Sequence, residues 1–319
     1  MDTTLVVMAA GMGARFGGLK QLTPIGQSGE TVAEFSVYDA LRAGFSRAVF
    51  VIKPEMERDF RERVLARFER HIRCDLVFQR MDDLPQGAPA LPTERGQKPL
   101  GTAHAVWSCR NTVREPFLVI NADDFYGASA FRQVRAFLLS YPDTGTPHPY
   151  CMAAYRLKDT VSEHGSVSRG VCEIDGQGNL RLVVERTRIQ RAKGQEASFY
   201  AQEGERTIPL GGDMPVSLNA WGFHPSVFTA LEEALQAFLS QPTEALIKGE
   251  CYLPSVVESM LESNRAYVRA LPARDRWIGI TYAEDLEPAR RLIRNLTDEG
   301  KYPADLWAQE IHRMGDGSL

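Results

Sequence analysis

At 319 residues, with 44% hydrophobic and 24% charged side chains, the chain has ordinary globular composition and is long enough for one large α/β domain or two smaller ones. Its formal net charge of −4 excludes a nucleic-acid surface built on bulk positive charge, while a small anion held by local cations stays compatible. The five cysteines (Cys74, Cys109, Cys151, Cys172 and Cys251) are scattered and lack any C-x-x-C pairing. That pattern, an N-terminus entering a strand with no basic, apolar leader and no run long enough to cross a bilayer predict a cytoplasmic protein with reduced thiols and no membrane contact.

The first predicted element is a buried strand, Leu5-Val6-Val7-Met8, which breaks into the small-residue loop Ala9-Ala10-Gly11-Met12-Gly13-Ala14-Arg15-Phe16-Gly17-Gly18-Leu19-Lys20. Small residues let backbone N–H groups point at an anion, and Arg15 and Lys20 supply the positive charge that crowded phosphate oxygens need, so the loop reads as a triphosphate cradle. A P-loop is excluded because Lys20 is followed by Gln21 instead of a hydroxyl. A dinucleotide fingerprint is excluded because Gly11-x-Gly13 is followed by Gly17, and the second strand ends in Lys53 instead of an acid. A tight turn alone would explain the glycines through positive φ, but not Arg15 and Lys20.

The loop resembles the signature of the sugar-1-phosphate nucleotidylyltransferases, the NDP-sugar pyrophosphorylase family. There a strand ending in small residues, here Ala9 and Ala10, leads to G-x-G-x-R and then a lysine, here Gly11, Gly13, Arg15 and Lys20.

Further along, apolar spacing predicts a helix between Gly29 and Gly44, a strand over Ala48–Ile52, a charged amphipathic helix over Glu55–Phe68 and a short strand over Leu76–Phe78. This alternation implies a parallel sheet with ligands at the carboxyl ends of its strands. Residues 82–99, rich in proline, glycine and charge, read as a mobile loop over the site. Gly101-Thr102-Ala103-His104-Ala105-Val106 then opens a helix whose small residues admit a base or phosphate. By resemblance, the run matches a family G-T-A-x-A-V segment preceded by a base-binding glutamine, here Gln79. Nothing about His104 on its own calls for chemistry.

The strand Phe117-Leu118-Val119-Ile120-Asn121 delivers Asp123 and Asp124 at its carboxyl end. Unpaired buried charge is costly, whereas a hard cation such as Mg²⁺, usually held by one or two carboxylates and substrate phosphates, explains the acids. The resemblance implies Asp123 as the metal ligand, with Asp124 sharing or supporting that role.

The second half predicts strands over Tyr150–Arg156, Val171–Ile174, Leu180–Val184 and Val216–Phe223. The resemblance implies that Gly165 presents its backbone to the sugar and that Glu185 and Arg186, matching a V-E-K pattern, bind sugar hydroxyls and sugar phosphate. It also gives Asn219 a sugar contact. Arginine in place of lysine suits a phosphate without being interchangeable with an ammonium. Trp221 reads either as a wall for the acceptor or as a core aromatic. Glu250-Cys251-Tyr252-Leu253-Pro254 resembles a structural E-x-x-L-P helix opening. The main departure is at Trp277-Ile278-Gly279, where the family W-x-D supplies a second metal acid and this chain has glycine; Asp124, Asp275 and Asp285 are the nearest substitutes in sequence.

The resulting expectation is a Rossmann-like α/β domain over residues 1–297, a mostly parallel central sheet flanked by helices, of nucleotide-diphospho-sugar transferase type. A small antiparallel region lies in the acceptor half, and a tail over residues 298–319 docks back on the body. The implied activity is transfer of NMP from an NTP to a phosphorylated small-molecule acceptor, most simply a sugar 1-phosphate, with release of pyrophosphate and with Mg²⁺ as cofactor. A phosphocholine-type cytidylyltransferase and a catalytically silent nucleotide-sugar-binding subunit remain alternatives, while a glycosyltransferase lacks its D-x-D motif.

Overall fold

The computed structural model describes residues 1–11, 23–162, 165–192, 198–280 and 282–308. Strand β1 (Thr4–Met8) is followed by α1 (Val32–Ala43), β2 (Arg47–Ile52), α2 (Glu57–Phe60), a π turn (Arg61–Leu65), α3 (Ala66–Phe68) and β3 (Arg73–Phe78). α1 begins where the sequence permits it: Thr31 and Glu34 form a reciprocal capping box, which satisfies two N–H groups that a helix start leaves orphaned. Next come α4 (Thr102–Trp107), β4 (Phe117–Asn121), β5 (Asp124–Phe125), α5 (Ala128–Ser140) and β6 (His148–Arg156).

The second half contributes β7 (Val167–Ile174), β8 (Leu180–Arg191), β9 (Ser198–Glu203), β10 (Arg206–Gly211) and β11 (Pro215–Phe223). α6 (Val227–Leu239), α7 (Thr243–Lys248), α8 (Leu253–Glu262), β12 (Ala266–Pro272), β13 (Ile278–Gly279) and α9 (Leu286–Asp298) complete the described elements.

β3, β2, β1 and β4 are parallel neighbours, with β1 between β2 and β4. β11 runs antiparallel to β4 and to β6, and β12 extends the sheet in parallel beyond β6. The central sheet is therefore mostly parallel, as the sequence implies. β7 to β10 form an antiparallel extension on β11, larger than the expected small region: β8 runs on to Arg191, and β9, β10 and β12 are not foreseen.

Both faces of the sheet are covered, which is why its strands read as continuous apolar runs. Leu5, Val7, Phe50 and Ile120 pack into one buried cluster with α1 and α5, while Val6, Val49, Val51 and Val119 pack into the other with α4, α6 and α8. Alternation at period two sends neighbouring residues of one strand into different cores.

β11 forks the sheet. Its C-terminal residues Trp221–Phe223 pair with β4, whereas Val216 and Ser217 pair with β7, and the register shifts between Ser217 and Trp221. Asn219 sits in this break at φ 62°, a left-handed conformation that asparagine tolerates better than most residues. The β4–β11 ladder thus stops at Val119, short of the carboxyl end of β4. Trp221 is fully buried and lies 6.1 Å from Phe223 with near-parallel rings, so it is a core aromatic.

The segment 82–99 is held more firmly than its composition suggests. Arg95, only 4% exposed, donates to the carbonyls of Lys98, Pro99, Leu246 and Gly249 and so pins the loop to α7. The tail returns to the body through residues 302–307, where Tyr302 and Trp307 are buried against α1 and α3.

Candidate active site

The carboxyl ends of β1 and β4 are tied side by side. Ala9 N–H donates to Val51 O at 2.8 Å, and Ala122 N–H donates to Met8 O at 3.1 Å, which sets the acids after β4 beside the start of the glycine loop. Ala9 and Ala10 are buried and Gly11 is exposed. Gly13, Arg15 and Lys20 lie outside the described residues.

After β4 the chain makes a compact polar knot. Asp124, 8% exposed, accepts at Oδ2 from Asn121 Nδ2 at 2.8 Å, and the Tyr126 hydroxyl lies 3.3 Å from the same oxygen while donating to Leu218 O at 2.7 Å. Asn219 Nδ2 donates to Asn121 Oδ1 at 3.4 Å, so the break in β11 and the end of β4 are cross-linked. Asp123 is half-buried and turns toward β13, its carbonyl accepting from Ile280 N–H at 3.1 Å.

At the position of the expected second acid, a Cβ built on Gly279 would stand 2.5 Å from Asp124 Oδ1 and against the Trp277 ring. The glycine makes room for the Asp124 carboxylate, directly opposite it in the β5–β13 pair. The other substitutes are committed elsewhere. Asp275 accepts from Ser129 N–H at 2.7 Å at the start of α5, and Asp285 accepts from Tyr282 N–H at 2.8 Å and Ser162 Oγ at 3.1 Å.

Among the described residues no group of three or more His, Cys, Asp or Glu could hold a metal ion. A magnesium ion does not require one, since it commonly keeps several waters and takes substrate phosphates with one or two carboxylates, and Asp123 beside the loop fits that donor set.

Sequence reasoning missed Arg169. Its guanidinium is buried, lies 4.7 Å from the Trp277 ring centre and donates to Thr160 Oγ1 and to the carbonyls of Thr160 and Ser168. Burial lowers its pKa, while Asp124 and Glu185 act in the opposite direction, the expected behaviour of a cation placed between two acids. A lone arginine in a strand has no local signature, so only the fold reveals it.

Glu185 lies beside the β7–β11 junction, its Oε2 3.7 Å from where a Cβ of Gly170 would be. Burial pushes its carboxyl up to about 7, partly offset by Arg169. Arg186 does not share its surroundings: Nη1 pairs with Glu203 Oε1 at 2.6 Å, and successive strand residues point to opposite faces. The V-E-R run is thus split between two sides of β8. Gly165 packs against Tyr282, whose ring occupies the space a Cβ would need, and Tyr282 donates to Ser166 O at 3.0 Å.

On the other flank, Gln79 directly follows β3 and borders a cleft of about 310 Å³ lined also by Lys53, Glu55, Arg80, Met81, Gln97 and Pro99. Gly101 adopts φ 109° and abuts the Cys251 backbone, so glycine is required there twice over. Thr102 Oγ1 accepts from Leu253 N–H at 2.9 Å. The close approach allowed by Gly101 is therefore to α8, and the Thr102 hydroxyl helps to cap that helix.

No protein-family model matches the sequence, and no curated protein matches it significantly. Solved structures do. The inositol-1-phosphate CTP transferase from T. maritima superposes with a TM-score of 0.60 at 14% identity, covering 92% of this chain and 96% of that one. A UDP-glucose pyrophosphorylase, solved in complex with UDP-glucose, superposes with a TM-score of 0.58 at 17% identity, covering 92% and 99%. At this identity the likeness establishes a shared fold over nearly the whole of each chain.

Proposed function

We propose that the protein is a nucleotidylyltransferase that moves NMP from an NTP to a phosphorylated small-molecule acceptor, most simply a sugar 1-phosphate, and releases pyrophosphate. What supports the reading is that Ala9 to Gly11, Gln79 and Asp123 follow the carboxyl ends of β1, β3 and β4 in one parallel sheet, with Asn219 bonded to Asn121 at the end of β4. The shared fold with two nucleotidyltransferases supports it.

An acceptor phosphate oxygen attacks the α-phosphorus, and the bond to the β-phosphate breaks as pyrophosphate leaves. A phosphate with a second pKa of about 6 is already largely ionised near neutrality, so no general base is needed. Catalysis then consists of holding two anions together and neutralising the leaving group. Arg15 and Lys20 take that role with the backbone of Ala9, Ala10, Gly11 and Gly13. Asp123 would hold Mg²⁺, which when bound supplies charge neutralisation on the phosphate oxygens; Asp124 stands behind it, joined to Asn121. Gln79, with Gly101 and Thr102 supporting its wall of the cleft, faces the base. Gly165, Glu185, Arg186 and Asn219 serve the acceptor, with Arg186 exchanging its bond to Glu203 for a phosphate.

A phosphocholine-type acceptor is a variant of the same chemistry. A silent nucleotide-sugar-binding subunit is the second reading, favoured by the absence of an acid at Gly279. Pyrophosphate release, measured over a panel of NTPs with sugar phosphates and phosphocholine, separates them. Release with one pair and not with others supports the transferase, and binding of a nucleotide sugar without release under any pair overturns it.

A further inference from the structure

Gln79 is held in a hydrogen-bond arrangement with one consistent solution. Its Nε2 lies 3.2 Å from Gly101 O and 3.2 Å from His104 Nδ1. A carbonyl oxygen only accepts, so the amide must turn its NH₂ toward Gly101, and both hydrogens are then used. An amide nitrogen does not accept, so His104 Nδ1 must be the acceptor and carry no proton. The ring proton is therefore on Nε2, 2.8 Å from Asp83 O, which again can only accept.

The far end is equally fixed. Arg110 grips the Asp83 carboxylate with two bonds of 2.9 and 2.7 Å and lies 3.4 Å over the Trp107 ring. His104 is fully buried, and burial lowers its pKa, which keeps the ring neutral. His104 and Trp107 lie on α4 and Arg110 just beyond it at intervals of three, so one helical face orders the chain from Asp83 to Gln79.

One atom of the Gln79 amide is left over. Oε1 takes no hydrogen bond among the described residues, and Gln79 borders the cleft. We propose that His104 is a positioning residue that makes Gln79 a hydrogen-bond acceptor only, so that the site selects a nucleoside triphosphate whose base directs an N–H at Oε1. The two pyrimidines place that donor differently, cytosine on its exocyclic amine and uracil on the adjacent ring nitrogen, so a locked acceptor distinguishes them where a freely turning amide would not. The identity of the ligand rests on the nucleotidyltransferase reading; the polarity of the Gln79 amide does not.

Two measurements keep these apart. In the ligand-free protein, ¹⁵N spectra of the imidazole should show His104 as the neutral tautomer, bare at Nδ1 and protonated at Nε2; the other tautomer, or a ring that titrates near its ordinary pKa, overturns the proposal whatever the enzyme does. Calorimetry with CTP and UTP then reads the selection. His104→Leu should change the ratio of the two dissociation constants by about tenfold, the worth of one hydrogen bond, with the acceptor KM unmoved. His104→Asn, whose side-chain oxygen can replace the Nδ1 acceptor, should restore most of the ratio and serves if the leucine variant does not fold. An unchanged ratio in folded His104→Leu, or no rescue by asparagine, overturns the role of His104. If neither nucleotide binds wild-type protein while the tautomer is as stated, the functional reading fails and the polarity of the amide stands.

Discussion

Asp124 and Gly279 face each other across a two-residue ladder, and the carboxylate of the first fills the space that a side chain on the second would take. Gly279→Asp, which would install the acid expected from the W-x-D pattern, must therefore displace Asp124 or Trp277. Overpacking of this kind costs roughly 1–3 kcal/mol, and a second buried carboxylate adds repulsion. The expected result is a lower denaturation midpoint for Gly279→Asp and partial recovery in Gly279→Asp/Asp124→Gly, read from urea unfolding with unchanged slope. Equal midpoints for Gly279→Asp and wild type would mean that the two residues do not compete for space.

Lys20→Ala should lower turnover by roughly 10²–10³ with the fold intact, the usual loss when one charge-stabilising contact is removed, which corresponds to about 3–4 kcal/mol. Asp123→Ala should abolish Mg²⁺-dependent pyrophosphate release, whereas Asp275→Asn and Asp285→Asn should act on stability through the N–H groups they accept from. Wild-type rates in Asp123→Ala, or full activity in excess chelator, would remove the carboxylate from the reaction.

Part of this was legible in the sequence for a physical reason. A strand leading into acids and an amphipathic helix that stops at a glycine are local patterns, set by residues within a few positions of each other, and β1, β4 and α1 fall where periodicity places them. Arg169, the Gln79–His104–Asp83 chain and the position of Asp124 against Gly279 depend on contacts between distant segments. His104 in particular looks inert until β3 and the segment after it are laid beside α4. The second-half strands extend past their apolar runs for the same reason: β8 continues to Arg191 through mainly polar residues, with Ile189 the one buried apolar position, and it is pairing with β7 and β9 that defines this stretch as strand.

Arg186→Ala and Glu185→Gln should separate. Glu185→Gln should raise the acceptor KM with NTP affinity unchanged in calorimetry. Arg186→Ala should do the same only if the Arg186–Glu203 pair opens on binding, so Glu203→Gln, which frees Arg186, should leave the acceptor KM equal or lower. A higher acceptor KM in Glu203→Gln would place Arg186 outside the acceptor site.

Two buried carboxyls set a pH dependence of stability. Burial pushes Asp39 up to about 7, against the hydrogen bond from Tyr302, and Glu185 likewise to about 7. In the unfolded chain both ionise near pH 4, so between about pH 4 and pH 7 the folded state holds more protons and stability falls as pH rises. Asp39→Asn should flatten that decline in melting temperature measured across the window. An unaltered slope would show that Asp39 does not carry the proton.

The docked tail also bears on how the molecule comes together in time. Leu306 N–H donates to Glu30 Oε1 at 3.1 Å and Trp307 Nε1 to Glu34 Oε1 at 3.0 Å, so the N-terminal end of α1 is completed by residues 276 and 273 positions away. During synthesis, the segment that follows the glycine loop must wait for almost all the rest of the chain before its last partners exist. Contacts of such separation form late and slow folding. A chain ending at Lys301 would therefore lack both partners of the start of α1, and limited proteolysis should cut it between residues 23 and 31 sooner than the full-length protein; equal cutting rates would show that these contacts do not hold the segment.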